Sequence, residues 1–481
     1  MTSNAHARYT CVIKEMGPVS ASQRKDEEAS TGRPRVETRL TAPREAVHAK
    51  DSAQARVRLM EGMLAAVERN GYTKASVAHA VAGAHVSRTV FYEHFNSKED
   101  CFLAAYEELA DRMLGGLRQA TEQPSWEEKA SAILGAVLDP DELASPQWLA
   151  LLTLARGGGP QVRLARERLV TEIEHLFDAT LAAGAAGSIT LDVPPKALIG
   201  GVRSVLSIRR YEGASAGDER EQLLAWARSY AVTTGCPRHG AADWARLGAR
   251  LPDDAPATRP REPLSLPRGR SRLAAELVSA EHQRRIITAT ATVMSEHGYA
   301  QSRISDIVAC ARVSRNVFYR HFQGKQEVFI AAQRLGLGTA MTACSRAFFD
   351  GGEWPERVWA GLRALLQCAA TNPELAHLVL VEPSAAAGGA PQQMIDSLRG
   401  FTVFLEEGYR QSPRAGGLPR LCSDAIAGAI FELMYHHAVT GRTRQMVELT
   451  PQCAYVALAP FIGAGAAGEF VAAQAERSGA R

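Results

Sequence analysis

The sequence predicts an all-α chain made of two tandem copies of one domain, each a three-helix head with a helix-turn-helix followed by a helical body. Three observations predict it. One phrase occurs twice, as "VSRTVFYEHFNSKED" from Val86 and "VSRNVFYRHFQGKQE" from Val313. The residues before each phrase repeat apolar side chains at helical spacing. The chain is also too long for one ordinary core: its 481 residues are 46% hydrophobic and 22% charged, with only 6% aromatic residues, a composition that leans towards helix.

The two copies align at a constant offset of 227. Between Val86–Tyr106 and Val313–Gln333, twelve of twenty-one positions are identical. "NGY" ending at Tyr72 answers "HGY" ending at Tyr299, and "SPQW" from Ser145 answers "NPEL" from Asn372 at the same offset. A likeness of this extent is a duplicated domain, and its period is far too long for a solenoid. Residues 1–50 are polar, carry arginines at 33, 35, 39 and 44, and read as a disordered basic arm. Residues 251–272 hold prolines at 252, 256, 260, 263 and 267, which block helix and mark a linker between domain one (51–250) and domain two (273–481). Fully extended at about 3.1 Å per residue, that linker could span roughly 65 Å.

Within each copy the elements follow from local chemistry. Val57, Met60, Leu64 and Val67 recur on one helical face, as do Ile287, Ala291 and Met294 in the second copy, so each run is an amphipathic helix. Gly71 and Gly298 supply its stop, because glycine tolerates a left-handed terminus. A short helix then starts near Ser76 or Ser302, and a tight break precedes Val86 or Val313. Ser87 and Ser314 are suited to N-cap the next helix, since a serine hydroxyl can accept an otherwise orphan backbone N–H. The helix-turn-helix is expected over about 76–96 and again over about 303–323.

The residues of the last short helix divide by face. Val90, Phe91 and Phe95 are apolar and should hold it on the core. Ser87, Arg88, Thr89, Tyr92 and His94 are left outward, with Lys98 opening the following helix. The second copy presents Ser314, Arg315, Asn316, Tyr319, Arg320, His321 and Lys325. Short polar side chains, arginine and asparagine at a helix start suit base edges in a major groove. Tyrosine hydroxyl, histidine and lysine suit phosphate oxygens.

The pattern "VSxxxxYxHFxxK", following an amphipathic helix with a "GY" end, resembles the DNA-binding domain of the tetracycline-repressor (TetR) family over about fifty residues in each copy. The resemblance implies a helix-turn-helix head followed by a helical ligand-binding and dimerisation body. It further implies a ligand-responsive regulator, most often a repressor, with double-stranded operator DNA and an unidentified small-molecule effector as partners. The runs Pro195–Glu212 with Glu219–Thr234, and Cys422–Arg442 with Pro451–Ala464, stand where the family's dimer bundle would be. The family usually has glycine just before "VS" and again two residues after that serine. Here those places hold His85 and Thr89, and Arg312 and Asn316.

Charge separates the heads. Residues 279–327 hold seven Arg or Lys against four Asp or Glu, and residues 52–100 hold six against five. Glu93 stands where the second copy has Arg320, and Thr89 where it has Asn316, so the heads are expected to differ in affinity or half-site. The duplication suggests an intrachain pseudo-dimer, with a homodimer as the other arrangement. The alternative function is a ligand-sensing or protein-interaction module in which one or both heads no longer bind DNA.

The remaining features exclude more than they add. Eight cysteines without a CxxC pair read as reduced cytosolic thiols. No apolar run is long enough to span a membrane, and the N-terminus lacks a signal-peptide core, so a cytoplasmic protein without membrane contact is expected. "GGGP" from Gly157 lacks the ending of a phosphate loop. "PRGRSR" from Pro267 is a basic arm beside the second head. His436 and His437 are adjacent and splay apart on a helix, poor metal ligands together. No catalytic site, cofactor or metal is expected. The second body holds Phe348, Phe349, Trp354, Trp359, Phe401, Phe404 and Tyr409, together with Met394. These are core candidates that could also line a ligand pocket.

Overall fold

In the computed structural model the chain divides into two units, 1–52 and Ala53–Arg481. The structure describes residues 41–125, 128–129, 132, 158–182, 189–212, 219–233, 241–252, 275–384 and 390–479. The expected arm up to residue 40, most of the linker, the first body's aromatic residues Trp126 and Trp148, "SPQW" and "PRGRSR" lie outside them. The first helix begins at Thr41, inside the stretch read from sequence as a disordered arm.

The first copy opens with α1 (Thr41–Lys74), α2 (Val77–Ala84), α3 (Arg88–His94) and α4 (Lys98–Thr121). Its body contributes α5 (Pro160–Ala182), α6 (Pro195–Glu212), α7 (Glu219–Arg228) and α8 (Ala241–Gly248). The second copy opens with α9 (Ala275–Gln301), α10 (Ile304–Ala311), α11 (Arg315–His321) and α12 (Lys325–Phe348). It continues through α13 (Trp354–Thr371), α14 (Pro373–Leu380), α15 (Ala390–Thr402), α16 (Glu406–Gln411), α17 (Leu421–Val439), α18 (Thr450–Ile462) and α19 (Ala464–Gly479). Among the described residues the regular structure is helical except for one antiparallel pair, β1 (Ile189–Leu191) on β2 (Ala231–Thr233). The helix expected over Glu219–Thr234 therefore stops at Arg228. Tyr230 provides the reason: its hydroxyl is carried into the core, where it donates to Val456 O at 2.8 Å, and the chain turns to reach it.

The heads have small cores of their own. In the first, Leu59, Met60, Met63, Leu64 and Val67 of α1 pack on Phe91, Phe95 and Phe102. Val57, expected on that face, is 42% exposed, one turn too early to meet α3. In the second, Ile286 and Met294 meet Phe318, Phe322 and Phe329, joined by Leu378 of α14. The largest core spans both copies: Trp226, Tyr230 and Trp244 of the first pack with α17 and α18 of the second. Trp244 and Tyr455 approach to 4.9 Å between ring centroids. Burial of such aromatic surface adds to the cohesion between the copies.

Candidate nucleic-acid interface

The last short helix of each head, α3 or α11, is set by local devices, three of which repeat in both copies. Gly71 (φ 73°, ψ 155°) and Gly298 (φ 74°, ψ 159°) break the first helix of each head. These angles lie outside the left-handed helical basin expected there, in a region open essentially to glycine alone. Ser76 caps α2, accepting from His79 N, whereas α10 starts at Ile304, with Arg303 N donating to the Asp306 carboxylate. The helix expected near Ser302 is thus shifted by one cap. Ser87 and Ser314 accept from Val90 N and Val317 N, both at 3.3 Å, and so fix the start of each recognition helix.

The turn between the two helices of each motif is left-handed at His85 (φ 55°) and Arg312 (φ 53°). These are the places where glycine was expected from the family resemblance, and the side chains bear the steric cost of that basin. Both are exposed, so neither buries anything in return.

The structure brings the sequence-derived residues together on one face of each head. Phe91 and Phe318 are fully buried, and they turn Ser87, Arg88, Thr89 and Tyr92, or Ser314, Arg315, Asn316, Tyr319 and Arg320, outward into solvent. Tyr92 and Tyr319 are 59% and 55% exposed, large rings for an exterior unless something is to meet them. Their rings meet those of Phe91 and Phe318 nearly at right angles, at 5.3 Å between centroids. His94 and His321 are half-buried at the helix ends. His321 faces His282 at 6.5 Å, and burial, followed by the charge of Arg320, lowers its pKa.

Lys98 and Lys325 are placed differently from a free phosphate contact. Lys98 Nζ donates to Tyr72 O at 2.7 Å, Ala75 O at 3.0 Å and Thr73 O at 3.4 Å. Lys325 repeats this on Tyr299 O at 2.7 Å, Ser302 O at 3.1 Å and Ala300 O at 3.4 Å. An ammonium has three N–H groups, so each lysine is engaged in fastening the end of the first head helix to the start of the fourth. Each also sits over the preceding tyrosine ring, at 4.6 Å and 4.5 Å. Burial lowers both pKa values. A phosphate reaching either lysine would share one of these bonds.

Two features of the second body bear on the site. A cavity of about 130 Å³ is lined by Leu362, Leu365, Met394, Phe401, Phe404 and Phe431 among others, with no charged side chain among the described lining residues. Of the aromatic candidates, Phe348, Phe401 and Phe404 reach it; Trp354 and Trp359 are buried elsewhere in the core and Phe349 faces solvent. The second feature is Glu382, nearly fully buried, whose carboxylate accepts from Tyr299 N at the glycine break of α9. The cavity was legible only as residues that could line one, since its shape is what remains after distant helices pack, and Glu382 had no local signal, its partner Tyr299 lying 83 residues away.

Residues 61–105 and 286–332 each match the family described as bacterial regulatory proteins, tetR family. Similar solved structures include the fatty acid degradation regulator FadR from Bacillus halodurans, 20% identical, covering 37% of this chain and 94% of that one with a TM-score of 0.33. FadR from Bacillus subtilis, solved in complex with stearoyl-CoA, is 19% identical, with coverage of 37% and 98% and a TM-score of 0.33. PfmR from Thermus thermophilus is 16% identical, with coverage of 34% and 96% and a TM-score of 0.28. No curated protein matches the chain. Among the described residues, no helix is long and apolar enough to cross a membrane.

Proposed function

Since the chain belongs to the tetR family of bacterial regulatory proteins through two separate segments, we propose that it is a sequence-specific transcriptional regulator that reads DNA with two helix-turn-helix heads from one chain. The observation that carries this reading is the face built twice over: a serine-capped short helix, buried on one side by phenylalanine, presenting arginine, a short polar residue and an exposed tyrosine on the other. Ser87, Arg88 and Thr89, and Ser314, Arg315 and Asn316, stand at the helix start, the part that meets base edges. Tyr92, His94, Tyr319, Arg320 and His321 flank them for phosphate. Lys98 and Lys325 hold that geometry and lend positive potential. Heads serving adjacent half-sites on one face of a duplex must present them about 34–36 Å apart.

The cavity of the second body supports a ligand-responsive repressor. Its lining fits an apolar molecule of benzene-like size as the helices stand, and a longer one if they part. Helix α14 lies on the path to the head. Leu375, Ala376, Val379 and Leu380 line the cavity, while Leu378 of the same helix is buried in the head core. A ligand that prefers a shifted α14 would move the second head and lower the DNA-competent population. We assign the protein to the bacterial cytoplasm, where operator DNA lies, and assign it no catalysis.

Selection of bound fragments from a random duplex pool tests the proposal. A recovered site of two half-sites, lost with Arg315→Ala and Tyr319→Ala together, is expected. No specific retention by the intact protein at low salt would favour a sensing or interaction module.

A further inference from the structure

Helices α6 of the first copy and α17 of the second cross at their glycines. A Cβ on Gly200 would lie 2.8 Å from Gly428 O, and a Cβ on Gly428 would lie 2.8 Å from Gly200 O. The nearest contact is equally reciprocal: a Cβ on Gly200 would meet the Glu432 side chain and one on Gly428 the Ser204 side chain, each four residues beyond the opposite glycine. This is the relation of an isologous two-fold interface, in which residue i meets j and j meets i, achieved here inside one chain. At an offset of 228, Gly200 corresponds to Gly428, Ser204 to Glu432 and Arg203 to Phe431.

The backbone is symmetric where the side chains are not. Glu432 is 1% exposed and receives Arg166 of α5, through Nη2, and Arg203 of α6, through Nε at 3.2 Å. Both arginines are themselves buried. Arg203 lies over the ring of Phe431, its counterpart by symmetry, at 5.8 Å, and Arg166 lies over Tyr435 at 4.9 Å. Outside this triad, Arg166 also meets Glu167 at 2.7 Å, Glu167 meets His436 Nδ1 at 2.8 Å, and Lys196 meets Glu174 at 2.8 Å. The cations of the cluster's centre come from the first copy and its central anion from the second. Aligning the Pro-Gln starts of α5 and α15 puts Ser397 where the first copy has Arg166.

We propose that this cluster is a mating code that makes the chain a fused heterodimer: copy one pairs with copy two of the same chain, and like copies of two chains do not pair through this surface. Two second copies brought together would bury two Glu432 carboxylates, with Phe431 and Ser397 in place of the arginines. Two first copies would bury four guanidinium groups around Ser204. An uncompensated buried charge is among the most costly defects an interface can contain, whereas the mixed pairing sets Glu432 against both arginines, with Glu167 also on Arg166. The glycines permit the close crossing and are the same in both copies, so they favour no pairing over another; the charges make the selection. A chain in which one or both heads do not bind DNA would mate in the same way.

Light scattering and X-ray scattering on the full chain test it. The wild type is expected at the mass of one chain at micromolar concentration; a two-chain mass overturns the proposal. Glu432→Arg is expected to keep helical circular dichroism while the radius of gyration rises and Tm falls by roughly 5 °C or more. Adding Arg166→Glu and Arg203→Glu to that chain is expected to restore most of both. A Glu432→Arg chain as compact and stable as the wild type, or no recovery in the triple reversal, refutes the code. Glu432→Gln provides the measurement if the reversal does not fold. Its loss in Tm should shrink when Arg203→Met is added, because one unpaired charge is removed with the other; fully additive losses count against the proposal.

Discussion

The carboxylate of Glu382 accepts the backbone N–H of Tyr299 at 2.6 Å across 83 residues of sequence. Tyr299 follows the glycine break of α9, and its own carbonyl receives Lys325. A short chain of bonds therefore runs from the end of α14, which lines the cavity, through the first head helix to α12, the helix that follows α11. Glu382→Ala should cost about 1–3 kcal/mol in chemical denaturation, the range for a lost charge-assisted bond with a buried donor left unpaired. It should also speed hydrogen exchange at the Tyr299 amide. Unchanged exchange there would show that Glu382 does not fasten the head.

The left-handed turns at His85 and Arg312 predict stabilising substitutions. Both residues are exposed and occupy φ of 55° and 53°, so His85→Gly and Arg312→Gly remove strain without removing buried contacts. A gain of roughly 0.5–1 kcal/mol each is expected, the released left-handed penalty less the greater chain entropy of glycine. Thermal unfolding of the two variants checks it, and a loss in both would mean that the side chains make contacts worth more than the strain.

The heads should exchange character when one charge is exchanged. Glu93 and Arg320 occupy the same place beside the exposed tyrosine, and both are solvent-facing. Arg320→Glu is expected to weaken operator binding and to reduce the slope of log K against log salt by about 1, the value for one lost phosphate contact. Glu93→Arg should raise it by a like amount. Fluorescence anisotropy over a salt series measures both, and equal slopes for all three proteins would remove residues 93 and 320 from the interface.

Acid should destabilise the interface between the copies through His437. Burial, followed by the charges of Arg442, His436 and Lys196, pulls its pKa from 6.5 down to about 4. As pH falls below 6.5 the unfolded chain takes up this proton first, so the stability due to the neutral buried imidazole is complete above 6.5 and declines towards 4. Tm should fall over that window in the wild type and less steeply in His437→Gln. Parallel curves between pH 6.5 and 5, above the range where carboxylates protonate, would contradict the assignment.

Alanine at the helix crossing should report the pseudo-symmetry. Gly200→Ala and Gly428→Ala each place a methyl against the partner backbone, and overpacking of this kind costs roughly 1–3 kcal/mol. The two losses should be similar, since the backbones are related by the same two-fold. A loss in one variant alone would break the equivalence.

Much of each head was legible in the residues. The caps Ser87 and Ser314, the buried Phe91 and Phe318, the glycine breaks and the outward tyrosines depend on neighbours within a few positions, and those neighbours are printed twice in the chain. The lysines were legible as positions but not as roles: Lys98 and Lys325 meet carbonyls 23 to 26 residues away, which spacing along one helix cannot show. The family glycines were missed as strain, because only the backbone angles reveal that His85 and Arg312 kept the glycine conformation.

By itself the sequence determined the duplication, the helical class and the outward face of each short helix, because periodicity, capping and repetition are local and survive without knowledge of which distant elements meet. Only the tertiary structure decided that the first copy ends inside the core of the second, that Glu432 lies between Arg166 and Arg203, and that a cavity opens beside α14. Those are products of packing between segments up to 266 residues apart. A buried charge declares its meaning only through the partner it faces.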